Sequence, residues 1–145
     1  MTPTEQFRRY LADRGLKVTS ERLAIVDAIL GTPGHFEADV LVERLQRGSV
    51  RVSRATLYRT LNHLLKAEMV RRVTGSDGNP RYESMTGREH HDHMVCLGCS
   101  EILEFTDEQI EARQLAACRR YGFTMTDHTL RIEGYCRDCQ PAKEP

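Results

Sequence analysis

Four cysteines form two matched pairs in the second half of this chain of 145 residues. Cys96 and Cys99 make the first Cys-x-x-Cys pair, and Cys136 and Cys139 make the second. Each pair places two thiolates close enough to bind one ion, and two pairs supply the four soft ligands of a closed zinc site. Redox disulfides are the competing chemistry, and a reducing cytosol disfavours them. The spacing therefore predicts one permanent, structural Zn²⁺.

A run of harder ligands precedes the first cysteine pair and consists of His90, His91, Asp92 and His93. Imidazole and carboxylate groups suit a divalent ion that is held reversibly. In an extended segment, alternate side chains point to opposite faces, so His91 and His93 share one face while His90 and Asp92 share the other. The run thus predicts two separate metal sites supplied by one strand. Candidates for the further ligands, by chemistry alone, are His35, Glu83, Glu104, Glu111 and His128.

The composition limits the class of protein. No segment has the apolar length of a membrane span, and the N-terminus lacks the apolar stretch typical of a signal peptide. We therefore expect a cytosolic protein with no membrane partner. With few aromatic residues and no tryptophan, the chain predicts thin cores that depend on a metal or a second subunit for stability.

The net charge is zero, but the charges are unevenly distributed. Residues 1–84 contain 14 Lys and Arg against 10 Asp and Glu, whereas residues 85–145 contain 7 against 11. Residues 44–72 contain eight basic side chains and one acidic side chain. A basic first half favours a polyanionic partner, and an acidic second half favours cations.

The pattern of the first half predicts four helices followed by a hairpin, which is the order of a winged helix-turn-helix. Three strands and one long helix then predict a small α/β domain, so the fold class is α+β. The expected domains are a winged-helix domain over residues 1–84, a hinge over 85–89 and a metal-binding dimerisation domain over 90–145.

The fourth helix, expected from Ser53 to about Glu68, has the two faces that a recognition helix needs. Its buried stripe is Leu57, Leu61, Leu64 and Leu65. On the opposite stripe, Arg59 can bind guanine O6 and N7, and Tyr58 can contact a thymine methyl or a phosphate. The side chains expected to contact phosphates are Ser53, Arg54 and Thr56. The alternative is an ordinary solvated helix; the local basic charge and the hairpin favour DNA.

The fifth cysteine, Cys118, lies on the stripe of the last helix that also carries Ile110 and Tyr121. We expect it to be a buried apolar thiol without a metal.

Taken together, these motifs resemble the ferric uptake regulator (Fur) family of bacterial metal-responsive repressors. The shared segments cover nearly the whole chain, and the His-x-His-x-x-Cys-x-x-Cys stretch is the most specific. They are residues 15–19, 55–61, 90–99, 104–105, 110–112 and the second cysteine pair.

The resemblance implies a homodimer, or a tetramer of two dimers, that binds a pseudo-palindromic operator in double-stranded DNA and represses metal-uptake genes. It implies that Tyr58 and Arg59 read the major groove and that Lys17 reaches the adjacent minor groove.

The resemblance also assigns ligands. It implies a regulatory site from His35, Glu83, His91, His93 and Glu104, and an additional site from His90, Asp92, Glu111 and His128. Zinc-sensing relatives place a cysteine in the sensing site, and no cysteine precedes Cys96. Peroxide-sensing relatives have Asp at the position of Glu104. The resemblance therefore favours Fe²⁺ as the signal, with peroxide sensing through a ferrous site next, and Mn²⁺ or Zn²⁺ as possible substitutes.

Two other classes of function fit the sequence less well. A zinc hydrolase needs an open metal position, but four cysteines close the site and no His-Glu-x-x-His motif is present. A purely structural zinc adaptor explains the cysteines and leaves the histidine run without a role. We therefore expect neither enzymatic activity nor a small-molecule substrate.

Overall fold

The structure of the protein is a computed structural model, and it describes residues 1–141. The chain divides into two compact units. Unit 1 contains Met1–Thr74 and Gly78–Glu89, and unit 2 contains Gly75–Asp77 and the chain from His90 onward. The predicted α+β class is confirmed, because helices with a small antiparallel sheet precede a mixed sheet with one helix.

Unit 1 contains four helices, and side chains cap the starts of the first, second and fourth. Thr2 and Glu5 form a reciprocal capping box at the first helix, and Thr19 accepts the backbone N–H of Arg22 at the second. No helix within residues 1–141 is long and apolar enough to cross a membrane. The helices are α1 (Pro3–Asp13), α2 (Ser20–Leu30), α3 (Ala38–Gln46) and α4 (Arg54–Lys66).

The fourth helix buries three of the four leucines of its predicted stripe, whereas Leu65 is only partly buried. Leu57, Leu61 and Leu64 are almost fully buried, and Thr60 lies beside them with its hydroxyl donating to the carbonyl of Thr56. These side chains join one apolar core with residues of the other three helices. Its largest fully buried members outside α4 are Phe7, Leu11, Ile25, Ile29 and Leu41. The core holds α4 in place, so its polar face is presented on a fixed support.

A three-stranded antiparallel sheet completes unit 1, in the order β1-β3-β2. The hairpin strands β2 (Val70–Thr74) and β3 (Pro80–Ser84) match the predicted hairpin. The third strand, β1, is only His35–Phe36, and its His35 pairs with Glu83 of β3. The sequence pattern did not predict β1, because two residues carry too little pattern to predict a strand.

Unit 2 is built on a mixed sheet in the order β5-β4-β6. The central strand β4 (Asp92–Cys96) pairs antiparallel with β5 (Ile102–Phe105) and parallel with β6 (Arg131–Gly134). Helix α5 (Glu108–Arg120) connects β5 to β6, and a short 3-10 helix (Arg137–Cys139) follows.

The expected burial of Cys118 on α5 is wrong in the described part of the chain. Residues 108–120 contain no buried side chain, Cys118 is only half-buried, and Tyr121 is among the most exposed apolar residues. An apolar stripe that the rest of the chain leaves exposed is shielded from water only when another surface packs against it.

One histidine of unit 1 is packed in a poorly solvated position. The ring of His63 on α4 lies edge-on to that of Tyr10, with centroids 5.9 Å apart, and its Nδ1 is buried without a hydrogen-bond partner among residues 1–141. Burial lowers the pKa of His63 below its usual value, and the charge of Arg22 lowers it further.

This predicts an acid-sensitive unit 1. Because the native pKa of His63 lies below the unfolded value of about 6.5, the unfolded state binds the proton more readily. The free energy of unfolding should therefore hold above about pH 6.5 and decline as the pH is lowered through that value. Urea unfolding of the zinc-loaded protein, followed by circular dichroism across this range, should show a shallower decline for His63→Leu. Parallel pH profiles for the two proteins would contradict the assignment.

Candidate metal centres and nucleic-acid interface

The two cysteine pairs meet because β4 and β6 are parallel neighbours. Cys96, the last residue of β4, is in register with Gly134, the last residue of β6. The chain then turns after each strand, which brings Cys99 and Cys136 to the same end of the sheet. The four sulfur atoms all lie within 4.8 Å of one another.

The geometry of these sulfur atoms fits zinc and not a disulfide. Sγ of Cys99 and Sγ of Cys136 are 3.9 Å apart, close to the edge of about 3.8 Å that a tetrahedron with Zn–S bonds of about 2.3 Å requires. A disulfide would need about 2.05 Å, and all five cysteines are free. The four-cysteine cluster is suited to a structural Zn²⁺.

Backbone donors surround Cys96 and stabilise its thiolate. The N–H groups of Gly98 and Cys136 each donate to its Sγ at 3.3 Å. Donation from backbone N–H groups, with Cys136 the strongest, lowers the pKa of Cys96 to about 6. Hydrogen bonding among the crowded sulfurs, first with Cys136, raises the pKa of Cys139 to about 12. Four thiols this close can all ionise only around a cation, which is the chemistry that a zinc site needs.

A second cluster of ligands in unit 2 joins β4, α5 and the segment before β6. His90 Nε2 lies 3.1 Å from Asp92 Oδ1 and 3.4 Å from Glu111 Oε1, and His128 Nε2 lies 3.2 Å from Glu111 Oε2. Asp92 is only 1% exposed, and its Oδ2 has no hydrogen-bond partner within residues 1–141. A buried carboxylate oxygen without a donor is costly unless a cation binds it. The donor set fits a divalent metal.

The other face of β4 carries the remaining ligands of unit 2. The rings of His91 and His93 are 4.9 Å apart, and both residues are buried. Glu104 on β5 is in register with His93 on β4, and its Oε1 lies 3.8 Å from Nε2 of His91. The alternation expected of an extended strand is therefore found, with His91 and His93 on one side and His90 and Asp92 on the other.

In unit 1, His35 and Glu83 face each other across β1 and β3. Nε2 of His35 lies 2.9 Å from Oε2 of Glu83, whose side chain is fully buried. The guanidinium of Arg88 lies 3.5 Å from the same oxygen. A buried carboxylate needs such partners to remain charged, and Arg88 is a neighbour that the sequence analysis did not single out. In the sequence, its position just after the hairpin was the feature that could have pointed to this contact.

A basic cleft of about 620 Å³ opens in unit 1 beside the starts of α2 and α4. Both helix N-termini contribute partial positive charge and backbone N–H groups. Four residues predicted from the sequence as DNA contacts line this cleft together: Lys17, Ser53, Thr56 and Arg59. The cleft also includes two arginines, Arg22 and Arg51, that were not predicted.

Ser53, which caps the start of α4, and Thr56 line this cleft and are hydrogen-bonded to each other. The Ser53 hydroxyl accepts the backbone N–H of Thr56 at 3.1 Å and lies 2.9 Å from the Thr56 hydroxyl. On another wall of the cleft, the guanidinium of Arg22 on α2 donates to the carbonyl of Lys17 in the loop before that helix. A basic residue three positions after a Thr cap is a usable sequence signal for such a contact.

Tyr58 and Arg54, the other predicted DNA contacts, lie on the side of α4 that faces α3. Both contact Asp39, a residue that the sequence analysis did not consider. Asp39 lies between Glu37 and Glu43, ahead of the basic segment 44–72, so its sequence context does not mark it as part of the interface.

The match to known proteins decides the family. A sequence model described as the ferric uptake regulator family matches residues 13–133. The chain belongs to the ferric uptake regulator family. The ferric uptake regulation protein of Campylobacter jejuni is 33% identical over 141 residues, covering 96% of this chain and 89% of its own length.

Solved Fur structures confirm the fold. The Helicobacter pylori ferric uptake regulator, described as having three functional metal-binding sites, superposes with a TM-score of 0.84 at 28% identity, covering 97% of this chain and 93% of its own. A zinc-bound manganese uptake regulator superposes with a TM-score of 0.64 at 30% identity, covering 90% and 98%. The chain is therefore a Fur-family metal-responsive transcriptional regulator, and the family is non-enzymatic.

The four-cysteine geometry predicts a specific sensitivity at Gly98. A Cβ at this position would lie 2.8 Å from Cβ of Cys139 and 3.0 Å from its Sγ, so Gly98→Ala must displace a ligand. We expect faster loss of zinc to a chromogenic chelator. Gly134→Ala is the matched control, because its Cβ would meet no atom within 4 Å. Equal zinc release from both variants would contradict the geometry.

The second cluster predicts a divalent ion that can be lost while the structural zinc stays bound. Glu111→Gln weakens one ligand that lies within reach of both His90 and His128. It should lower the number of bound divalent ions by about one per chain while the zinc content stays constant. Elemental analysis after equilibrium dialysis against Mn²⁺ measures both metals. Glu108→Gln, an exposed residue of the same helix, should match the wild type, and a loss of zinc from Glu111→Gln would argue for a folding defect instead.

Proposed function

We propose that this Fur-family regulator responds to Fe²⁺ and represses metal-uptake genes by binding pseudo-palindromic operators as a homodimer. The ligand chemistry carries the proposal. The predicted regulatory residues offer only imidazole and carboxylate groups, and every cysteine except the half-buried Cys118 belongs to the zinc cluster. Nitrogen and oxygen ligands suit a divalent iron or manganese ion better than a thiolate-seeking one.

The basic cleft of unit 1 supports DNA as the partner. Its four cationic side chains are Lys17, Arg22, Arg51 and Arg59, and Glu21 is its one acidic lining residue. A cationic concavity at two helix N-termini attracts phosphates regardless of sequence. We propose that these contacts fix the protein on the duplex while Tyr58 and Arg59 of α4 read base edges in the major groove.

We propose that the regulatory ligands come from both units. His35 and Glu83 already form a close pair in unit 1, and His91, His93 and Glu104 form a group in unit 2. With an ion bound by both sets, one arrangement of the units becomes favoured over others. Only a differential affinity for that arrangement can switch DNA binding.

An uncovered apolar row supports dimerisation through unit 2. Leu103, Met94 and Ile132 are neighbours across three adjacent strands and are 44%, 39% and 42% exposed. They line a shallow apolar cleft of about 140 Å³ with Tyr135. Such a row on a small unit is typical of an interface. Because Fur-family proteins bind operators as dimers, we propose that a second copy covers it.

Manganese is the second candidate signal. The similarity to a zinc-bound manganese uptake regulator favours it, and imidazole and carboxylate ligands separate Mn²⁺ from Fe²⁺ poorly.

The proposal predicts metal-dependent DNA binding that one ligand controls. Duplexes selected from a randomised pool by the metal-loaded protein should bind at least about tenfold more tightly with Fe²⁺ than without it under anaerobic conditions. His91→Ala should bind equally with and without Fe²⁺ and should retain its zinc. Glu101→Gln, an exposed carboxylate outside both ligand sets, should respond like the wild type.

The same titration distinguishes the candidate signals. A response to Mn²⁺ that is stronger than to Fe²⁺ would favour manganese sensing. Irreversible loss of binding after peroxide treatment of the ferrous form would favour peroxide sensing. Equal affinity of the metal-stripped and loaded wild type would contradict metal control itself.

A further inference from the structure

Asp39 of α3 binds two side chains of the recognition helix through one oxygen atom. The Tyr58 hydroxyl donates to Oδ1 of Asp39 at 2.8 Å, and Nη1 of Arg54 lies 2.7 Å from the same oxygen. The guanidinium of Arg54 also lies over the Tyr58 ring, 5.2 Å from its centroid. Three side chains from two helices therefore form a closed triangle of contacts.

The triangle holds Tyr58 in one position. Its phenol is already protonated at neutral pH, and burial, followed by the hydrogen bond to Asp39, raises the pKa of Tyr58 further, so the hydroxyl is a donor to Asp39. Tyr58 also borders a cleft of about 190 Å³ that Asp39 and Tyr82 line with it. A side chain held by a hydrogen bond and by a stacked guanidinium has few alternative rotamers.

Stability alone explains this arrangement poorly. Asp39 and Arg54 are 58% and 64% exposed, and an ion pair at such an exposed position contributes little to stability in water. A carboxylate in the first turn of α3 does favour the helix dipole, but that interaction requires no contact with α4. An acidic group on a surface that binds a polyanion also weakens that binding. Neither the ion pair nor the helix dipole therefore accounts for a carboxylate that joins α3 to α4 at this position.

We propose that Asp39 is a positioning residue for sequence readout, holding Tyr58 in one orientation toward the DNA bases and holding Arg54 to one position beside the backbone. The inference rests on the proposed reading of DNA by α4. It assigns selectivity to an acidic residue outside the recognition helix. Without the Asp39 carboxylate, Arg54 is free to bind phosphates of any sequence and the Tyr58 ring is free to change rotamer.

The inference separates affinity from selectivity. Removing a negative charge from this surface should strengthen binding to any duplex, because phosphate contacts are electrostatic and independent of sequence. Releasing Tyr58 and Arg54 should at the same time weaken the preference for the correct sequence. Glu43 provides a matched control, because it is an exposed carboxylate on the same helix and lies outside the Asp39 triangle.

The experiment compares Asp39→Ala, Asp39→Asn and Glu43→Ala with the wild type, all loaded with Zn²⁺ and Mn²⁺. The probes are a duplex selected by the wild type from a randomised pool and the same duplex with its base order shuffled. All three variants should bind the shuffled duplex more tightly than the wild type does. The ratio of selected to shuffled affinity should fall about tenfold in Asp39→Ala, fall less in Asp39→Asn, which keeps an acceptor for Tyr58, and stay unchanged in Glu43→Ala.

A Tyr58→Phe variant keeps the test decisive if Asp39→Ala folds poorly. Removing the hydroxyl breaks the same contact from the other side, so the ratio should fall there too, and Asp39→Asn should add less to it than it does alone. An unchanged ratio in Asp39→Ala and in Tyr58→Phe would overturn the inference while leaving the proposed function intact. A wild type that prefers no duplex would instead overturn the proposed function.

Discussion

The alternation of side chains along β4 is the constraint on which the metal chemistry of this protein depends. The strand and the residues just before it supply imidazoles and a carboxylate to two opposite faces, and the strand ends in a zinc ligand. Pairing on both sides fixes its register, since β5 brings Glu104 to one face and the parallel β6 leads into the second cysteine pair. A slip of one residue would exchange the ligand sets and remove Cys96 from the zinc cluster.

In the first unit, the apolar core supports the surface that we propose binds DNA. The stripe of Leu57, Leu61 and Leu64 fixes α4 against the other helices, and this leaves its polar side chains to meet the basic cleft and Asp39. Most of the cationic side chains would bind the phosphates of any DNA sequence equally well. If Asp39 positions Tyr58 and Arg54 as we propose, selectivity depends on which side chains are held still, and contacts between α3 and α4 matter as much as the number of arginines.

The sequence allowed the patterned features to be predicted and missed those that depend on tertiary pairing. The helix caps, the hairpin and the cysteine spacing are local, so they predicted the fold class and the zinc cluster directly. The strand at His35 was missed because two residues form no pattern and acquire their conformation from Glu83 across the sheet. Asp39 was missed because its partners lie on another helix. Cys118 was expected to be buried because a stripe predicts burial without saying which surface covers it, and the structure leaves it half-buried.

The apolar row of Leu103, Met94 and Ile132 has a consequence for how the signal is read in a cell. If a second copy covers this row, folding energy and association energy are linked by mass action, so the fraction of paired chains depends on how much protein is present. Any ligand that favours the paired form then binds more tightly as the protein accumulates. The threshold concentration of metal would therefore shift with the expression level of the regulator, and any control of its own synthesis would also adjust its sensitivity.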